Sequence, residues 1–254
     1  MAVTLYDHEA SICSQMARVT LHEKGVAFDR RRIDIGVAAN EQFAPWYVAL
    51  NPRAVVPTLK HDDAVVTDTL RICAYVDRTF EGPALCPADP DGRDRNAGWM
   101  RDIMAPHYGV LLYGPLVDED GRCGTIDARH HYLETMLEQA PEQGELLRAR
   151  LAGNERFTAI LKDPTQRQGF VDACRRLVVA MDDALANRAF LVDDSFRIAD
   201  AFAMAAVARF ESHGYAHWWE QGALPRLAAY YERVQQRPSW TAAGVLSKDL
   251  NYDG

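Results

Sequence analysis

The chain has 254 residues, 48% of them hydrophobic, and a formal net charge of −8. That length suits two ordinary domains or one large one with a real core. Acidic and basic residues are interspersed, which argues against a nucleic-acid partner, and no apolar run approaches the roughly 18 residues of a membrane span.

Val3 to Tyr6 reads as a strand. Met16, Ala17, Val19, Thr20 and Leu21 then form a helical face that ends at Lys24-Gly25, a glycine stop signal. Phe28 to Asp34 returns as a strand, and an irregular polar segment follows through Trp46, Tyr47 and Leu50. Thr58 to Lys60 and Val65-Val66 read as strands joined at Asp62-Asp63, a hairpin turn signal. A helix from Thr69 to Phe80 closes a β-α-β-α-β-β-α order with Ile72, Cys73, Tyr75, Val76 and Phe80 inward. Pro83 to Arg93 shifts to Gly, Pro and Asp and reads as a linker. Beyond it every periodic segment is helical: Trp99–Tyr113, Arg129–Leu137, Leu146–Leu161, Phe170–Leu185, Ala199–Glu211 and Leu224–Gln236. Gly114 to Gly124 reads as a polar loop, and Gln139 to Asn154 as a charged, solvated helical arm.

The five cysteines (Cys13, Cys73, Cys86, Cys123, Cys174) are odd in number and have neither CxxC nor zinc-ligand spacing. With Asp7, His8 and Glu9 interrupting any signal peptide, the chain reads as a cytoplasmic protein. Cys73 and Cys174 lie on apolar helix faces and are expected in the core. Cys86 and Cys123 fall in polar loops and carry no assigned role. His213 and His217 have i, i+4 spacing, but Gly214 interrupts them and no carboxylate completes a zinc motif, so no metal is expected. His130-His131 reads as a solvated helix face, and Trp218-Trp219 as packing anchors.

Three signals carry chemistry. The first is Ser11-Ile12-Cys13-Ser14-Gln15, a thiol and two hydroxyls between a strand and a helix. Backbone N–H groups point outward there and the helix dipole favours negative charge. A free thiol titrates near ~8.5 and a helix N-terminus lowers that by roughly two units, so Cys13 is expected to be acidic. The same place would stabilise the thiolate of a bound small thiol. The second signal is Val55-Val56-Pro57-Thr58, where Pro57 is placed for a cis peptide and Val56 would offer its backbone to an extended peptide. The third is Asp68-Thr69 at a helix start, where a carboxylate suits an ammonium and the hydroxyl and N–H groups suit a carboxylate. Together they describe a site for a short peptide with an α-amino acid head and a thiol.

The first 80 residues resemble the thioredoxin-fold domain of glutathione transferases, and the helical remainder resembles their C-terminal domain. The motifs SICSQ with Arg18, Lys24-Gly25-Val26, Ile33-Asp34-Ile35-Gly36 and Val55-Val56-Pro57-Thr58-Leu59 resemble the chlorinated-hydroquinone reductive dehalogenases. Zeta-class transferases and isomerases share the pattern that Ser11, Cys13, Ser14 and Arg18 reproduce. His61-Asp62 through Asp68-Thr69 to Ile72-Cys73 resembles bacterial β-aryl etherases. The resemblance implies a glutathione transferase fold: an α/β thioredoxin-like N-terminal domain (1–82) that binds glutathione, then an all-α substrate-binding domain (92–254). It implies that Cys13 resolves a glutathionyl adduct through a mixed disulfide and that Ser11 or Ser14 hydrogen-bonds the glutathione thiolate. Val56 and Pro57 would clamp the cysteinyl moiety, and Asp68 with Thr69 the γ-glutamyl group. His107, Tyr108 and Tyr113 would form an aromatic wall for the substrate. Two departures stand out: Asp68 and Thr69 replace the usual Glu/Gln and Ser, and Arg197 replaces the helix-capping Ser/Thr of Ile198-Ala199-Asp200. Arg197 cannot accept a cap hydrogen bond, so Asp200 must find another partner.

The expectation is a homodimeric enzyme in which glutathione thiolate attacks an electrophilic aromatic or quinonoid small molecule, reductive dehalogenation of a hydroquinone being one form. The alternatives are maleyl-type cis–trans isomerisation, β-aryl ether cleavage, or a non-catalytic binding protein on the same fold.

Overall fold

The computed structural model describes residues 2–245. The first part runs β1 (Val3–Asp7), α1 (Ile12–Lys24), β2 (Asp29–Arg32), α2 (Pro45–Leu50), β3 (Thr58–His61), β4 (Ala64–Thr67) and α3 (Thr69–Thr79). The expected β-α-β-α-β-β-α order is present. The segment through Trp46 and Leu50 is a short helix, with Pro45 at its first turn, where a missing N–H costs nothing. Gly25 ends α1 in the left-handed conformation (φ 76°), and the Val26 N–H closes the cap on the Leu21 carbonyl.

The helices that follow are α4 (Pro90–Met104), α5 (Gly109–Tyr113), α6 (Gly124–Gln139), α7 (Gly144–Lys162), α8 (Pro164–Ala184), α9 (Ile198–Ser212), α10 (Pro225–Gln235) and α11 (Pro238–Ala242). The helix expected over Trp99–Tyr113 is broken in two. Pro106 lacks an N–H to continue the ladder and its ring crowds the carbonyl four residues earlier, so α4 stops at Met104 even though Ala105 keeps helical backbone (φ −68°, ψ −38°). His107 and Tyr108 therefore sit in the break, and Tyr113 ends α5.

The four strands form one mixed sheet in the order β2-β1-β3-β4, with β1 parallel to β2 and the other two pairs antiparallel. By contact the described residues divide into two compact units. One draws on the spans 2–33, 55–105 and 175–245, the other on 34–54 and 106–174.

The first unit contains the sheet. Val3, Leu5 and Leu59 from the strands meet Ala17 and Leu21 of α1 and Ile72 and Val76 of α3 in one core. In the same unit α9 packs against α1, α4 and α10. Every residue of α9 from Ile198 to Phe210 is buried, as expected of a helix apolar on all sides. The stretch read as a linker is tied down: the Ile198 N–H donates to the Leu85 carbonyl and Arg197 Nη1 to the Ala84 carbonyl. Trp218, Trp219 and Cys73 are buried, as expected.

Asp200 does find partners. Its Oδ2 accepts the Arg197 N–H (2.8 Å), and its Oδ1 accepts the Leu191 N–H (2.9 Å) and the Tyr230 hydroxyl (3.1 Å). The carboxylate is fully buried, so one side chain ties together the start of α9, the loop before it and α10.

The second unit centres on the α6–α7 pair. Val110, Cys123, Ile126, Phe157 and Leu161 form one cluster, and Phe43, Ala54, Leu133 and Leu147 another. Cys123 is thus a core residue, because its sulfur turns inward from the otherwise polar loop. Cys174 is buried as expected. Gln139–Asn154 is likewise not a solvated arm: Ala140, Gln143, Leu147 and Asn154 are buried, and only the opposite face is wet. His131 is exposed, and His130 faces Glu134 at 3.5 Å.

Asp200→Ala leaves two buried donors and one half-buried donor without their acceptor. Urea denaturation should show a loss of about 3 kcal/mol or more, and a loss under about 1 kcal/mol would mean that the donors find other acceptors.

Candidate active site

Strand register brings the three signals to one end of the sheet. β1 runs toward Asp7, and Tyr6 lies opposite Thr58, the first residue of β3. Thr58 also lies opposite Thr67, the last residue of β4. The chain just before Thr58 (Val56-Pro57), just after Thr67 (Asp68-Thr69) and just after Asp7 therefore emerges at the same edge.

The Val56-Pro57 peptide is cis. Val56 is half-buried, and among the described residues its N–H and C=O pair with no strand. Those two groups are available to an extended ligand.

Asp68 caps α3, accepting the Arg71 N–H at 3.3 Å. Its backbone (φ 81°, ψ 127°) is one that non-glycine residues rarely adopt. Such a conformation costs roughly 1–3 kcal/mol and persists only where the surroundings enforce it.

At the β1–α1 junction Ser11 is the N-cap, and its Oγ accepts the Ser14 N–H at 3.3 Å. Ser14 is fully buried, and its Oγ accepts the His8 N–H at 3.3 Å. Cys13 is half-buried between them, and the Thr69 side chain at the start of α3 favours its thiolate.

Three side chains hold the loop that leads into Cys13. Arg18 is 1% exposed and pairs with the fully buried Asp7. It also donates to the carbonyls of His8 (3.3 Å), Glu9 (3.2 Å) and Ala243 (2.6 Å). Gln15 Nε2 donates to the Glu9 carbonyl at 3.1 Å, and Arg209 of α9 donates to the Ala10 carbonyl.

Known proteins give this geometry its context. Residues 10–79 match the family described as "Glutathione S-transferase, N-terminal domain". The tetrachloro-p-hydroquinone reductive dehalogenase of Sphingobium chlorophenolicum is 33% identical over 253 residues, covering 96% of each chain. This chain belongs to the glutathione S-transferase family. A 2,5-dichlorohydroquinone reductive dechlorinase of Sphingobium indicum is 29% identical, covering 92% of this chain and 80% of its own. Among solved structures, the β-etherase LigF from Sphingobium sp. strain SYK-6 superposes with a TM-score of 0.73 at 23% identity. That match covers 96% of this chain and 98% of LigF, and it shows the shared fold. Glutathione is the co-substrate of the family, and the transferase fold expected from the sequence is the one observed.

Within this transferase, Ser11, Cys13, Ser14, Val56, Pro57, Asp68 and Thr69 all lie in the unit that contains the sheet. His107, Tyr108 and Tyr113 gather in the other unit. There the His107 ring stacks on Phe157 (4.5 Å, 3° between planes), and Tyr113 meets the same ring edge-on at 5.9 Å. Arg129 Nη2 donates to the Tyr113 hydroxyl at 3.2 Å. Burial lowers the His107 pKa, so its ring is neutral at pH 7.

The acidity expected of Cys13 is not observed. Burial pushes its thiol pKa up, and the nearby Asp68 carboxylate adds to that. The Thr69 hydrogen bond and the charge of Arg209 act in the opposite direction without prevailing.

Sequence reading missed Arg209 as a site residue. Its signal was a lone charge inside an otherwise apolar helical run.

Cys13 should therefore alkylate with a pH midpoint above the ~8.5 of a free thiol when no glutathione is bound. Thr69→Val, which removes a hydrogen bond that favours the thiolate, should move that midpoint higher still. A wild-type midpoint below that of free cysteine would show the helix dipole outweighing burial.

Proposed function

We propose that this transferase attacks an aromatic or quinonoid electrophile with glutathione, and that its reaction is reductive dehalogenation of a halogenated hydroquinone. The observation that carries the reading is the Cys13 thiol at the head of α1, at the same end of the sheet as the cis Val56-Pro57 peptide and Asp68-Thr69. Likeness to two reductive dehalogenases along nearly the whole chain supports it.

The chemistry balances with glutathione alone. One glutathione thiolate bonds to the ring carbon and halide departs, leaving a thioether. The Cys13 thiolate then attacks the glutathionyl sulfur. The carbon–sulfur bond breaks, its electron pair goes to the ring carbon, and that carbon takes a proton. Cys13 is left in a mixed disulfide, which a second glutathione thiolate opens to release oxidised glutathione. Carbon–halogen becomes carbon–hydrogen as two thiols become one disulfide.

In this reading residues 1–82 bind glutathione and residues 92–254 supply the substrate-binding part. Val56 and Pro57 clamp the cysteinyl group, and Asp68 and Thr69 take the γ-glutamyl group. Ser11 is better placed than Ser14 to touch the glutathione sulfur, since Ser14 is buried against the His8 N–H. His107, Tyr108 and Tyr113 supply aromatic surface for the ring. A cytoplasmic homodimer belongs to the same proposal, and five free cysteines suit a reducing compartment.

Cys13→Ser should still consume a halogenated hydroquinone but accumulate the glutathionyl adduct, because no enzyme thiol removes it. Mass spectrometry of the products decides: clean dehalogenated product from the variant would exclude Cys13 as the resolving thiol. A wild type that ignores halogenated hydroquinones but cleaves β-aryl ethers or isomerises maleyl-type diacids would transfer the reading to those reactions.

A further inference from the structure

We propose that Arg209, on α9, is a positioning residue for the reacting sulfur: it fixes the loop that carries Cys13 and places a permanent positive charge beside the thiolate formed there. The inference rests on Cys13 as the reacting thiol, but not on which electrophile is attacked.

Arg209 is 5% exposed on a helix that is apolar from Ala201 to Ala208. A guanidinium cannot shed its proton there, so its charge must be used. Its Nη2 donates to the carbonyl of Ala10, three residues before Cys13, and α9 packs directly on α1. The cation is thus rigid at both ends, held by a helix on one side and by the catalytic loop on the other. Lysine would keep the charge but lose the flat fork.

The groups around the sulfur leave Arg209 as its compensating charge. From α3, the Asp68 carboxylate opposes a thiolate and Thr69 donates a hydrogen bond; Cys73, further along α3, is buried and pushed up to about 12 and stays neutral. From the loop, Glu9 is engaged by Arg30 and Arg32, and Asp7 by Arg18 and Arg30. From the end of α9, His213 is pushed down to about 4 by burial and then by Arg209, so it carries no charge at neutral pH. The nearby α11 (Pro238–Ala242) bears no titratable side chain. Resolving a glutathionyl adduct needs Cys13 as an anion in a half-buried place, and Arg209 makes that anion accessible.

The test follows iodoacetamide alkylation of Cys13 against pH in the full-length protein, reading the Cys13 peptide by mass spectrometry. Arg209→Met and Arg209→Gln should raise the midpoint by on the order of one unit. The rate at pH 8 should fall about ten-fold in both, since below the midpoint rate follows the thiolate fraction. Arg209→Lys should stay close to wild type. An unchanged midpoint in the neutral variants, whether or not their melting temperature falls, would reduce Arg209 to a structural role and overturn the proposal. An equal rise in Arg209→Lys would also overturn it, by showing that geometry and not charge is responsible. Alkylation needs no substrate, so a wild type inactive on hydroquinones but showing the Arg209 shift would sink the dehalogenase reading alone.

Discussion

The site depends on the buried pair between Arg18 and Asp7. Both side chains are removed from water, which costs several kcal/mol per ion unless the partners are in place. Asp7 ends β1 and Arg18 is the seventh residue of α1, in its second turn, so their contact sets how the helix leaves the sheet. Asp7 is held a second time by Arg30 of β2 (3.0 and 3.2 Å). The remaining donors of Arg18 reach the carbonyls of His8, Glu9 and Ala243. The loop's carbonyls, turned inward onto the buried guanidinium, pin it from behind, and Cys13 inherits its position from that pinning. Without Arg18, Asp7 would be a buried carboxylate served by one half-exposed arginine, a loss of about 3–5 kcal/mol by analogy with broken buried pairs.

Holding a sulfur in a half-buried place has a chemical consequence. Burial favours the neutral thiol, while transfer to an adduct needs the thiolate. In the proposed reaction a neutral Cys13 would donate its S–H toward the glutathione thiolate in the first half. The proposed second half needs the opposite state, which would become accessible once the first anion has been consumed. The Thr69 hydroxyl and the Arg209 charge are the two groups that make this second state reachable. One side chain can therefore serve both halves, with its protonation set by whether another anion shares the site.

Much of this was legible in the sequence, for local reasons. Gly25, Asp62-Asp63 and Pro57 punctuate the chain where backbone geometry demands it, so the strands and both sheet-side helices fall where they were read. The departures share a cause as well. Apolar spacing from Trp99 to Tyr113 continues across Pro106, so periodicity concealed a break that backbone chemistry imposes. The charges between Asp118 and Arg122 hid the inward turn of Cys123, and those of Gln139–Asn154 hid the face that carries Leu147. The thiol's protonation was misread because burial belongs to the folded assembly and not to the pentapeptide. The partners of Arg18 and Arg209 at Ala243 and Ala10 lie too far along the chain for spacing to reveal.

The same distance in sequence explains why α9 carries two polar residues in an apolar run. Asp200 and Arg209 are nine residues apart, a rise of about 13.5 Å along the helix. Asp200 fastens the first turn to Arg197, Leu191 and Tyr230, and Arg209 fastens the last to the loop before Cys13. Between them every side chain is packed, so the helix has little freedom to slide or turn. A shift at the Asp200 end would move the guanidinium at the other. The capping departure at Arg197 and the charge next to Cys13 are thus linked by one rigid element. The carboxylate that holds α9 in register is a remote part of what places positive charge beside the sulfur.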